Sequence, residues 1–132
     1  MNEYRKTNTT VSLLNYHFVF CPRYRRKIFL QAEVEYRFKE LVHEVCEELQ
    51  IEIVALECDK DYTHMFLNAL PSLSPADMMA KIKGVTSKKL REEFPHLRHL
   101  PSLWTRSYFV STAGNVSSET IKRYVEQQKT RG

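Results

Sequence analysis

The order of its patterned segments marks this chain as α+β: a ferredoxin-like split βαβ sandwich, a four-stranded antiparallel sheet with helices on one face and a further helix appended at the C-terminus. Three observations predict it. Hydrophobic periodicity runs strand, helix, strand, strand, helix, strand, helix, with no internal repeat. The 132 residues are the length of one domain, so 1–132 is read as a single unit. A hydrophobic fraction of 42% and a charged fraction of 27% are those of a packed globular protein, and 3 Gly and 5 Pro are too few for a linker or collagen-like chain.

The first strand is read at 13–20, LLNYHFVF, with Leu14, Tyr16, Phe18 and Phe20 on one face and Leu13, Asn15, His17 and Val19 on the other. Pro22 breaks it, and 21–27, CPRYRRK, is a basic loop around Tyr24. Over 33–49, Val34, Phe38, Leu41, Val42, Val45 and Leu49 keep the three-and-four spacing of an amphipathic helix whose outer face is acidic. The β-branched run 51–57 and the run 62–70, joined by the polar turn 58–61, predict a hairpin. In its second strand Thr63, Met65, Leu67 and Ala69 point one way and Tyr62, His64, Phe66 and Asn68 the other.

Ser74, Pro75 and Asp77 supply the cap, the first position and an acidic first turn for a helix over 75–93. Met78, Met79, Ile82, Val85 and Leu90 are its expected buried stripe, with Gly84 a point of close packing. Residues 106–113 read as a fourth strand, Gly114 and Asn115 as a turn, and Ser117 as the cap of a last helix reaching about residue 129. Open four-stranded sheets of this RRM-like kind are a common platform for nucleic acid, an analogy at the level of fold.

The net charge of +4 is uneven: residues 1–66 carry 9 basic against 11 acidic side chains, residues 67–132 carry 11 against 5. A basic half points to a polyanionic partner. Cys21, Cys46 and Cys58, odd in number and without C-x-x-C spacing, suggest neither a disulfide framework nor a zinc knuckle. No apolar run approaches the ~20 residues of a spanning helix, and 1–10 is polar, so no membrane partner and a cytoplasmic location are expected.

Two positions invite chemistry. Ile121, Tyr124, Val125 and Gln128 share one stripe of the last helix, which makes Tyr124 and Gln128 neighbours. Spacing alone equally fits a packing aromatic, since a phenol of pKa ~10 attacks phosphorus near neutral pH only with a divalent cation on the phosphate, a base, or both. His64 stands mid-strand, where structural histidines are common. A second ligand two residues away, ~6.6 Å along the strand, would complete a metal pair. Those positions hold Tyr62 and Phe66, so the strand supplies half a site.

Residues 57–68, ECDKDYTHMFLN, resemble the signature strand of the insertion sequence 200/605 (IS200-like) transposases, the small single-tyrosine HUH nucleases. NYHFVF at 15–20 with the PRYRRK loop, KIKG at 81–84 with Ser87, LWTRSYF at 103–109, and TAGN at 112–115 leading to YVEQQ at 124–128 carry the resemblance along nearly the whole chain. It implies a homodimeric transposase that binds hairpins in single-stranded DNA and cleaves beside them. Tyr124, the nucleophile on the appended helix, would form a 5′-phosphotyrosine and release a 3′-OH, and rejoining would reverse the step with another end. The last helix would pack across the dimer, and Mg²⁺ or Mn²⁺ would be held by a histidine pair, of which this chain keeps His64, together with Gln128.

The family pattern Asp-His-x-His reads Asp61-Tyr62-Thr63-His64 here, so Tyr62 occupies the place of the first metal histidine. Tyr62 binds as phenolate, or Asp61, Glu57 or water completes an oxygen-rich shell, or the protein is a hairpin-binding descendant that cuts poorly. Arg23, Arg25, Arg26 and Lys27 in the first loop and Lys81, Lys83, Lys88 and Lys89 on the second long helix are the expected DNA contacts. Tyr24 and Trp104 either stack on bases or belong to the core. An RNA-binding sheet without this ancestry would carry aromatics on both central strands, where only Phe66 and Tyr62 qualify.

Overall fold

The computed structural model describes residues 12–128. Its elements follow the expected order: β1 Leu14–Phe20, α1 Ala32–Glu48, β2 Glu52–Asp59, β3 Tyr62–Ala69, α2 Pro75–Glu93, β4 Phe109–Ser111 and α3 Ser118–Gln127. The sheet order is β2-β3-β1-β4, antiparallel at every pairing. α1 therefore carries the chain from β1 to β2 across one strand position, which β3 fills, and this is the split βαβ connection.

Side-chain alternation decides the layering. On β3, Thr63, Met65, Leu67 and Ala69 are buried while Tyr62, His64, Phe66 and Asn68 are half-buried. Tyr16, Phe18 and Phe20 of β1 join Met65 and Leu67 in the main core, with Val34, Phe38, Leu41, Val42 and Val45 of α1 and Met78, Met79, Ile82 and Leu90 of α2 packed over them. Each fully buried side chain of this size stabilises the fold by roughly 1.5–3 kcal/mol. Ser74 Oγ accepts from the Asp77 backbone N–H at 3.0 Å and Ser117 Oγ from that of Thr120 at 3.1 Å, the caps expected at both helix starts.

Three expectations are corrected. The fourth strand is three residues long rather than eight: the carbonyls of 105–107 go to Lys83, and pairing beside the chain that leaves β1 resumes at one bridge, Pro22 to Trp104. The Arg23 N–H donates to the Leu103 carbonyl, the Thr105 N–H donates to the Cys21 carbonyl, and the Lys83 ammonium takes the carbonyls of 105–107. Gly84 is exposed, with nothing within 4 Å of the place a Cβ would occupy, so it marks no close approach. The buried position in that turn is Thr86, whose hydroxyl donates to the Ile82 carbonyl at 2.7 Å and accepts from Trp104 Nε1 at 3.0 Å. Val85 is only partly buried. The expected helix end at residue 129 lies outside the described residues.

Candidate active site

α1 and α2 leave one sheet face uncovered, and α3 lies across part of it. Ile121 and Val125 of α3 form a second small cluster with Val19 and Cys21 of β1, against which Tyr62, Phe109, Val116 and Tyr124 pack. Val19 is also the cross-strand partner of His64. One turn of α3 thus brings Tyr124 onto the same patch of sheet as Tyr62 and beside the strand pair that carries His64.

Tyr124 and Gln128 converge on a residue the sequence analysis did not single out. Ser107 Oγ lies 2.9 Å from Tyr124 Oη and donates to Gln128 Oε1 at 2.9 Å. A serine hydroxyl has one proton, so with that proton on Gln128 the phenol is the donor to Ser107. Gln128 is 2% exposed, a buried amide oxygen fixed by this bond. Ser107 is itself held from behind: Lys83 Nζ donates to the carbonyls of Thr105 at 2.7 Å and Ser107 at 3.1 Å and stands 5.5 Å from the centroid of the Phe20 ring. Burial lowers the Lys83 ammonium to about 8. Nothing in a lone serine within RSYF marks it in the sequence; only the fold brings 107 beside 124.

Around His64 the neighbours are aromatic and basic. His17 Nδ1 is 3.2 Å from His64 Nε2, and the His17 ring stacks on Phe66 at 4.3 Å with a 4° interplanar angle. His17 is 7% exposed, and its Nε2 is buried without a hydrogen-bond partner among the described residues. Glu57 of β2 is paired directly opposite His64. Burial, and then His17, hold the His64 imidazolium below its usual range against the opposing pull of Glu57, which favours a neutral ring with an available lone pair. Tyr62 moves the other way: burial and the neighbouring Asp59 raise its phenol above the ordinary tyrosine value, which keeps it protonated at neutral pH. Glu57, Asp59, Tyr62 and His64 line an open groove closed on its far side by Val116, Ser118 and Ile121. Among the described residues no three of His, Cys, Asp and Glu converge to hold a metal unaided.

The basic residues divide by what already holds them. Arg25 sits behind Tyr24, both with left-handed backbone at φ 51° and 56°, a conformation costing on the order of 1–3 kcal/mol per residue. Its guanidinium donates twice to Asp61 Oδ2, at 3.1 and 2.9 Å, and reaches Glu126 of α3 at 3.3 Å, tying loop, hairpin turn and helix together. Arg23 Nε donates to Ser102 Oγ at 2.7 Å. Arg26 and Lys27 are exposed, as are Lys81, Lys88 and Lys89, with Lys81 3.6 Å from Glu48. Tyr24 is exposed, whereas Trp104 is core, edge-on to Phe20 and Phe38.

Comparison with known proteins matches the chain to one family. The model of the family described as "Transposase IS200 like" matches residues 10–128. The ISDra2 transposase TnpA of Deinococcus radiodurans is 26% identical over 129 residues, covering 96% of this chain and 91% of its own length. The transposase for insertion sequence element IS200 of Salmonella typhimurium is 33% identical over 116 residues, 86% of this chain and 75% of its own. Among solved structures, a Deinococcus radiodurans R1 protein assigned as a transposase superposes with TM-score 0.85 at 30% identity, covering 95% of this chain and 98% of that one. The REP-associated tyrosine transposase bound to a REP hairpin superposes with TM-score 0.58 at 18% identity over 96% of this chain and 68% of that one, a likeness of fold. With a family match spanning α1 to α3 and every strand, the chain belongs to the IS200-like transposases.

Proposed function

We propose that this transposase cleaves and rejoins single-stranded DNA beside hairpins through a 5′-phosphotyrosine at Tyr124, with metal assistance, as a homodimer. The observation that carries the proposal is the meeting of Tyr124 and Gln128 at Ser107, on the sheet face that bears His64. The Tyr124 Oη–P bond forms as the P–O3′ bond breaks; the phenolic proton passes to solvent water, and the departing oxygen takes up a proton from water to become the 3′-OH. Rejoining runs the same step backwards, with a 3′-OH attacking the phosphotyrosine. The covalent intermediate keeps the bond energy, so exchange of ends needs no ATP. Hairpin DNA is the proposed substrate, the ligand of the solved neighbour with the same fold, and exposed Arg26, Lys27, Lys81, Lys88 and Lys89 provide phosphate contacts that carry affinity rather than sequence.

The donors present suit a divalent cation of the Mn²⁺ or Mg²⁺ kind: His64, held toward its neutral form, with the Glu57 carboxylate paired opposite it and the His17 ring against it, and the Gln128 amide oxygen on α3. Such a cation supplies charge neutralisation on the scissile phosphate. The test is a labelled single-stranded element end incubated with protein and Mn²⁺: a denaturation-resistant adduct forms with the wild type and is lost in Tyr124→Phe, and an adduct that survives that change places the nucleophile elsewhere.

A second reading rests on Tyr62. Its phenol, held protonated by burial and Asp59, is a poor metal ligand, so the chain acts as a hairpin-binding protein that has lost cutting. It predicts salt-sensitive hairpin binding with no adduct in any divalent metal.

A further inference from the structure

The pairing of β1 with β3 places a second imidazole against His64. His17 Nδ1 and His64 Nε2 are 3.2 Å apart. Two nitrogens bound to one cation at ~2.1 Å stand ~3.0 Å apart as cis neighbours in an octahedron and ~3.4 Å apart in a tetrahedron, so a pair that is hydrogen-bonded at 3.2 Å without metal already has the spacing of two ligands of one ion. The His17 ring is 7% exposed, clamped flat on Phe66, and its far nitrogen has no partner among the described residues. The ring is thus held with Nδ1, and not its far nitrogen, turned to His64. Tyr62 adds the complementary fact: the strand position two residues before His64, on the same face, carries no imidazole.

We propose that His17 supplies the nitrogen ligand Tyr62 does not, so that the cation is held by a cross-strand pair, His17 Nδ1 and His64 Nε2, rather than by two histidines of one strand. The proposal rests on the metal-assisted reading given above. In the metal-free pair a proton lies between the two facing nitrogens. On binding, that proton moves to the far nitrogen of its own ring, each imidazole keeps one N–H, and both lone pairs turn to the ion, with no net proton released. Glu57, opposite His64, stands where an oxygen ligand or a hydrogen-bond acceptor for the His64 ring is needed. Two imidazoles make a borderline-soft set, so the site favours Mn²⁺ over Mg²⁺.

The experiment is Mn²⁺ titration of the full chain without DNA, read by the loss of free-ion EPR signal. The wild type is expected to bind one Mn²⁺, His17→Ala and His64→Ala each to weaken it by roughly tenfold or more, and Tyr62→Phe to leave it within about twofold. Wild-type affinity in a folded His17→Ala, with loss in His64→Ala, overturns the role of His17 and leaves the metal-assisted reading standing. Absence of binding by the wild type overturns both. Because removing a buried ring threatens the fold, the unmutated protein is also titrated with Zn²⁺ and its imidazole ¹⁵N resonances followed. Coordination shifts both His17 Nδ1 and His64 Nε2, and a shift confined to His64 overturns the proposal.

Discussion

Tyr124 Oη and Gln128 Oε1 are joined through one atom, Ser107 Oγ, which lies 2.9 Å from each. The bridge fixes the phenol and the amide relative to the sheet before any DNA is present. Ser107→Ala removes it while leaving the α3 cluster of Ile121 and Val125 in place. We expect a stability loss of about 1 kcal/mol by urea unfolding. Adduct formation should slow by roughly tenfold to a hundredfold as the nucleophile loses its setting. Equal rates in the two proteins would remove Ser107 from the site.

Lys83 holds the segment that carries Ser107, and its folded-state value of about 8 lies below the usual 10.5. Between those two values the unfolded chain binds the Lys83 proton and the folded chain does not, so this group makes stability rise with pH across that window and withdraws the gain as pH falls through 8. Comparing wild type with Lys83→Met isolates the effect from other groups that titrate there. The stability difference between them should shift toward the wild type from pH 8 to 10, and urea midpoints at several pH values measure it.

Arg25 and Arg26 are adjacent, yet they should fail differently. Arg25→Ala strands Asp61, which is 4% exposed, and should cost about 2–4 kcal/mol, less than a wholly buried pair because the guanidinium is partly wet. Arg25→Ala with Asp61→Asn should recover part of it. Arg26→Gln should leave the unfolding midpoint unchanged. It should weaken hairpin binding and reduce the slope of log affinity against log salt by about 1, as loss of one phosphate contact does.

What the sequence disclosed follows the range over which its signals act. Local ones were legible: the Ser74 and Ser117 caps, the α1 stripe, and the alternation that puts Met65 in the core and His64 on the other face. The i, i+4 relation of Tyr124 and Gln128 on α3 was legible for the same reason. What depended on strand register was not. His17 and His64 are 47 positions apart and meet because β1 lies beside β3, and Ser107, 17 and 21 positions from its partners Tyr124 and Gln128, meets them through the packing of α3. Basic residues read alike as a string, but the fold commits Arg25 to Asp61 and Glu126, commits Lys83 to backbone carbonyls, and leaves Arg26 and Lys27 exposed.

Tyr62→His separates the two functional readings. If the wild type is a binding protein that has lost a ligand, the substitution restores Mn²⁺-dependent adduct where none formed. If His17 already completes the pair, the wild type forms adduct and the substitution raises the rate by less than about tenfold, a gain worth under ~1.4 kcal/mol in the barrier. Hairpin affinity measured in parallel should not change.

The account stands most directly on where DNA becomes attached. After reaction of the wild type with a single-stranded element end and Mn²⁺, digestion and tandem mass spectrometry should locate the 5′-phosphonucleotide on Tyr124. Attachment at Tyr62, which packs against the same cluster, or at any other residue would contradict it.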